Sequence, residues 1–169
     1  MRIILLLLLL AYHSTYAQNK EDLKALAQSQ AQQVLDATID QDAPTLLRFT
    51  HPKILKKYGK KELKGLITDV FKAMEEGHIR IEKSEVTEVS ELVKEQGEYR
   101  CLVKNQIRMS ASNQIVAIKS AMIGFYDDGN QQWNFIESSK LTKDPETQNL
   151  FSDFKTSLEI PEDEQVIEE

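Results

Sequence analysis

A change of hydrophobic period at Gly77 constrains this chain more than any other feature. Before it, Leu63, Leu66, Ile67, Val70, Phe71 and Met74 recur at i, i+3, i+4, i+7, i+8 and i+11. That spacing predicts a helix from Lys60 to about Glu76 with one core-facing stripe, and Gly77 suits its C-terminal end. After Gly77 the period falls to two and β-branched residues accumulate, the pattern of strands. Strands are expected over roughly 79–94 with a break near Glu88, then 98–109, 115–127 and 132–138. The links Gln96-Gly97, Ser110 to Gln114 and Asp128-Gly129-Asn130 are too short for the crossovers of parallel pairing, so these strands must be antiparallel neighbours.

Upstream, Leu23, Ala27, Ala31, Val34 and Leu35 mark a first helix over 19–40, and a short second helix should hold Leu46, Leu47 and Phe49. Thr50-His51-Pro52 restarts the chain, with Thr50 read as the N-cap and Pro52 in the first turn. Helices followed by a meander make an α+β fold, the N-terminal helices packed on one face of a curved antiparallel sheet of about four strands.

The chain has 169 residues. Met1 to Ala17 reads as a secretory signal: Arg2 precedes the apolar run Ile3 to Ala11, and Ala17 is a small residue at the cleavage point. That run is about 9 residues where a bilayer crossing needs roughly 20, so a cleaved leader fits and a membrane span does not. The expected product starts at Gln18, is soluble, and is periplasmic or extracellular. The expected organisation is a signal over 1–17, a single α+β domain over 18–145 and a partly disordered acidic C-terminal tail over 146–169.

Charge and cysteine content exclude several classes. There are 21 basic and 27 acidic residues, and six acids with no base lie between Glu159 and Glu169. Lys53, Lys56, Lys57, Lys60, Lys61 and Lys64 oppose a single acid, Glu62. They are a solvated face or an anion-binding patch for glycans, lipid headgroups or the acidic tail. With no net positive charge and no aromatic residues among those lysines, nucleic acid is not the expected partner. Cys101 is the only cysteine, and the three histidines lack metal-ligand spacing, so neither a disulfide, a metal site nor a cofactor is expected.

The order of elements, the His51-Pro52-Lys53-Ile54-Leu55 turn closed by Tyr58-Gly59, and the Asp128-Gly129-Asn130-Gln131-Gln132-Trp133-Asn134-Phe135-Ile136 strand together resemble the nuclear transport factor 2-like, cystatin-like cone superfamily, especially its small secreted bacterial members. The resemblance spans residues 19–138. It implies a cone between helices and sheet able to hold a small apolar ligand, and frequent homodimerisation through the exposed sheet face. It does not imply one activity.

Period two places Tyr99, Cys101, Val103, Asn105, Ile107 and Met109 inward, and Glu98, Arg100, Lys104, Gln106 and Arg108 outward. Residues 115–127 are apolar on both faces, as expected if one side faces the cone and the other a second subunit, or if a β-bulge switches faces. Tyr99, Asn105, Tyr126, Trp133 and Phe135 are the pocket-lining candidates. Cys101 reads as a buried small hydrophobe, Asp127 as a turn residue and His51 as a surface residue. Tyr58, Tyr99 and Tyr126 could stabilise an oxyanion, but no carboxylate falls on the inner face of a strand, so no catalytic residue is assigned. The expected function is a secreted, non-catalytic domain binding a small apolar ligand or a partner protein. The alternative is an isomerase- or cyclase-type enzyme whose base comes from a helix.

Overall fold

A computed structural model describes the backbone of residues 2–111 and 114–168, with side chains described from Lys20 onward. The leader expected over Met1 to Ala17 lies outside the residues whose side chains are described. Helix α1 spans Arg2–Ile39, α2 Ala43–Phe49, α3 Pro52–Tyr58 and α4 Lys60–Glu76. Strands β1 (Arg80–Val89), β2 (Val93–Glu95), β3 (Glu98–Ala111), β4 (Gln114–Asp127) and β5 (Gln132–Glu137) follow. The chain ends with α5 (Ser138–Lys143), α6 (Pro145–Leu150) and β6 (Glu164–Glu168). The α+β class agrees with the sequence reading. Among the described residues no helix is long and apolar enough to cross a membrane.

The sheet is antiparallel and open, in the order β1-β3-β4-β5, with β2 beside β3 and β6 beside β4. It has six strands where the sequence predicts about four. One extra strand comes from the break near Glu88: the register slips between Val86 and Glu88, and β2 begins anew at Val93. The other is β6. β5 pairs with Met122 to Asp127 only, so the Ile115 to Lys119 edge of β4 would carry unpaired backbone groups. Residues 164–168 of the acidic tail, expected to lack order, fill that edge. Glu164 meets Lys119 at 3.1 Å and Glu168 meets Arg108 at 2.8 Å, so the charges at both ends of β6 are complemented on the sheet.

Helix α1 lies across one sheet face. Ala27 and Ala31 are fully buried and let the helix approach Cys101, Val103, Met122 and Trp133 closely. Two glutamines of α1 satisfy backbone groups that the sheet leaves open: Val86 N, at the bulge, donates to Gln32 Oε1 at 2.9 Å, and Trp133 N donates to Gln30 Oε1 at 2.7 Å.

The opposite sheet face is covered by the same chain. Leu102, Ile123, Phe125 and Ile136 pack beneath Leu141 of α5, and beneath Phe151, Phe154 and Ile160 of the segment after α6. This explains the two apolar faces of β4, whose pairing with β3 runs from Arg100↔Phe125 to Ala111↔Gln114 without a bulge. A second subunit is therefore not needed to bury Ile123 and Phe125. It also corrects the placement of Arg100, which points to the outer face as expected but is only 3% exposed, because the C-terminal segment closes over it.

A second correction concerns α4. Of its stripe only Phe71 is buried, while Leu66 and Val70 are 51% and 58% exposed. The apolar period is present, but the face it makes borders a groove instead of a closed core.

Candidate functional site

Five elements line that groove. Helix α1 contributes Val34 and Thr38, α2 and its C-cap contribute Leu46, Phe49 and Thr50, and α4 contributes Leu66, Ile67, Val70 and Phe71. Met122 of β4 with Phe135 and Glu137 of β5 form the floor. The cavity is about 370 Å³ and its lining is predominantly apolar. Gly59, at φ 80°, sits between α3 and α4 in a backbone region that favours glycine and sets the turn by which α4 reaches back over α2. The parallel bridge between Thr50 and Phe135 ties the α2 end of the groove to its floor.

The polar groups of this lining are few. Thr38 Oγ1 donates to Val34 O at 3.0 Å and Thr50 Oγ1 donates to Leu46 O at 2.8 Å, so both hydroxyl protons are spent on their own helices. Glu137 is exposed and its side chain makes no hydrogen bond or ion pair among the described residues. It occupies the end of β5, opposite Met122. Period two from Phe135 puts it on the same face as Phe135, which is the signal in the sequence that would have singled it out.

The five pocket candidates separate in space. Phe135 lines the groove. Trp133 is fully buried beneath α1, donates from Nε1 to Leu23 O at 3.0 Å and meets the Tyr126 ring at 5.2 Å between centroids. Tyr126 and Tyr99 are half-buried against that same core. Asn105 is buried and accepts from Ser120 Oγ at 2.8 Å, which satisfies an amide on an otherwise apolar face. Cys101 has no exposed surface, and burial pushes its thiol up to about 12, the behaviour of an inert core thiol. Asp127 accepts from Gly129 N at 2.9 Å and Asn130 N at 3.2 Å and holds the β4–β5 turn.

Two of the six lysines from Lys53 to Lys64 are paired with acids. Lys53 pairs with Asp153 at 3.0 Å and Lys57 with Glu146 at 2.7 Å, both acids of the C-terminal region. Lys56, Lys60, Lys61 and Lys64 are exposed and form no ion pair among the described residues. Among the described residues there is also no group of three His, Cys, Asp or Glu side chains placed to hold a metal ion.

His51 is buried, against the expectation of a surface residue, and it replaces Thr50 as the N-cap of α3, its Nδ1 accepting from Lys53 N at 3.1 Å. Its ring stands edge-on to Phe125 and Phe151, with centroids 4.7 and 4.9 Å away. Burial, reinforced by the Lys53 and Arg100 charges, lowers its pKa from 6.5 to about 4. The folded protein thus holds His51 neutral, so its contribution to stability is complete above pH 6.5 and is lost as pH falls from there toward 4. That loss is expected to reach about 3 kcal/mol by pH 4. Asn at this position caps a helix without titrating. Urea melts of the wild type and His51→Asn between pH 7.5 and 4 should diverge by that amount, because the Lys53–Asp153 and Arg100–Glu98 pairs are common to both. Parallel pH profiles would show that His51 does not sense the buried environment.

No family model matches the chain, and no curated protein matches it significantly.

Proposed function

We propose that this protein is a binding module that takes a small apolar molecule into the groove beneath α4. The observation that carries the reading is the pair Leu66 and Val70, more than half exposed on a helix that turns its apolar stripe toward a 370 Å³ concavity rather than onto a core. Contiguous exposed apolar surface of this kind marks ligand or partner sites, and the volume falls within the roughly 300–1,000 Å³ of small-molecule pockets. We further read the chain as a nuclear transport factor 2-like, cystatin-like protein exported by the leader over Met1 to Ala17. The succession of α1 to α4 before the meander, with the groove between helices and sheet, supports that assignment.

The enzyme alternative draws on Glu137, a carboxylate at a concave site. Proton abstraction next to a carbonyl also needs a donor to stabilise the oxyanion. The groove lining supplies no Tyr, His, Lys or Arg beside Glu137, and the groove is open to water, so binding is the better supported reading.

Nile red, a neutral apolar dye, should bind with blue-shifted, enhanced emission. Val70→Gln, which places an amide on the groove wall, should weaken binding roughly tenfold, since it removes the burial of one aliphatic side chain and desolvates a polar group. Because Val70 is exposed, the variant's melting temperature should stay within a few degrees of the wild type. Equal affinity in a folded Val70→Gln would place the dye elsewhere and refute the reading.

A further inference from the structure

The polar chemistry of the groove is one-sided. Each of its polar side chains presents lone pairs and none presents a free proton: the Thr38 and Thr50 hydroxyls have donated theirs to Val34 O and Leu46 O, and Glu137 is a carboxylate. The backbone offers little more, because Thr50 N already donates to Leu47 O, and the lining residues of α1 and α4 lie within helices. No Lys or Arg lines the cavity, and the lysines from Lys53 to Lys64 are absent from its walls. The one formal charge in the lining, Glu137, has no cationic partner among the described residues.

From this we infer that the groove selects apolar molecules that end in a protonated amine, with the hydrocarbon body against Leu66, Val70 and Phe71 and the ammonium group at Glu137. The inference rests on the groove being a binding site and adds the class of ligand. An ammonium head brings three donors and a positive charge to an acceptor-only rim, and charge-assisted hydrogen bonds are the stronger kind. An alcohol of the same length brings one donor and no charge. A fatty acid brings a second carboxylate to Glu137, and like charges at close range repel. A cavity of about 370 Å³ suits one short chain rather than a two-chain lipid.

The test is calorimetric titration of decylamine, decanol and decanoate, each below its micelle concentration, into the full chain at pH 7 and low salt. Decylamine should bind about fivefold more tightly than decanol, and decanoate should bind weakest, the scale expected of a solvent-accessible ion pair with one charge-assisted hydrogen bond. In Glu137→Gln the gap between amine and alcohol should close, with circular dichroism reporting that the variant is folded. Decanoate binding as tightly as decylamine, or an amine preference that survives Glu137→Gln, would overturn the inference and leave the groove reading intact. Failure of all three ligands and of Nile red would overturn both.

Discussion

Replacing Trp133 with alanine should cost the fold about 4–5 kcal/mol, the upper end for truncating a buried aromatic. Trp133 is the largest fully buried side chain, and it joins the sheet to α1 in two ways: its indole fills the space under Ala27 and Ala31, and its Nε1 donates to Leu23 O. Truncation therefore opens a cavity and removes the hydrogen bond by which the indole ties the sheet to the α1 backbone. Gly124 shows how tightly this region is packed, since a Cβ there would lie 3.0 Å from both Cys101 Sγ and Trp133 Cε3. A site so constrained collapses poorly around a void, which places the cost high in its range. Trp133 is the only tryptophan, so denaturant melts must be followed by circular dichroism. A loss below about 2 kcal/mol would mean that α1 holds to the sheet without this anchor.

Removal of the Arg100 guanidinium is expected to cost about 2–3 kcal/mol, because it opens a void at a buried side chain and takes the cation from Glu95 and Glu98, whose side chains are only 19% and 34% exposed. Arg100 reaches Glu98 at 2.6 Å and Glu95 at 3.6 Å, and donates to Gln96 Oε1 and Lys155 O at 2.8 Å each. Its guanidinium lies 5.3 Å from the Phe125 ring centroid and 5.0 Å from that of Phe154. The group thus binds the segment after α6 to the outer face of the sheet, aided by Ser157, whose N and Oγ both donate to Glu95 Oε1 at 2.7 Å. Arg100→Ala should lower stability by that amount and also make residues 151–160 exchange amide protons and cleave with protease faster than the sheet. Arg100→Lys should recover less than half, since an ammonium cannot reproduce the planar fork of donors. A uniform loss of protection across the sheet, with no excess at 151–160, would show that Arg100 is not the latch of this segment.

The sequence reading and the structure coincide where local pattern and tertiary packing make the same demand. The meander from β2 to β5 follows from period two and three short polar links, and the β3–β4 register is unbroken from Arg100 to Ala111. Cys101 and Asp127 were readable because each is decided within a few residues: an apolar strand position, and an Asp before Asp-Gly-Asn. The misplaced residues are those whose surroundings come from far along the chain. His51 and Arg100 look solvated in their own segments, and both are buried by Phe151 or Phe154, about a hundred and about fifty residues away. Residues 164–168 look like a charged tail because composition counts six acids between Glu159 and Glu169, while Val166 and Ile167 supply the β-prone pair that lets the strand form once β4 offers an open edge.

The α4 stripe shows the division most clearly. Its helical period is a property of the sequence, since spacing alone decides which side chains share a face. Whether that face is covered is a property of the assembled molecule, because it depends on how far α2 and the turn at Gly59 hold the helix from Met122 and Phe135. Sequence by itself determined the α+β class, the antiparallel meander and the presence of an apolar face on α4. The tertiary structure alone decided that this face borders a groove, that Glu137 is its one charged group, and that the chain's own C-terminus closes the other side of the sheet. Periodicity is local and survives in any context, whereas burial is a sum over neighbours that only the folded chain brings together.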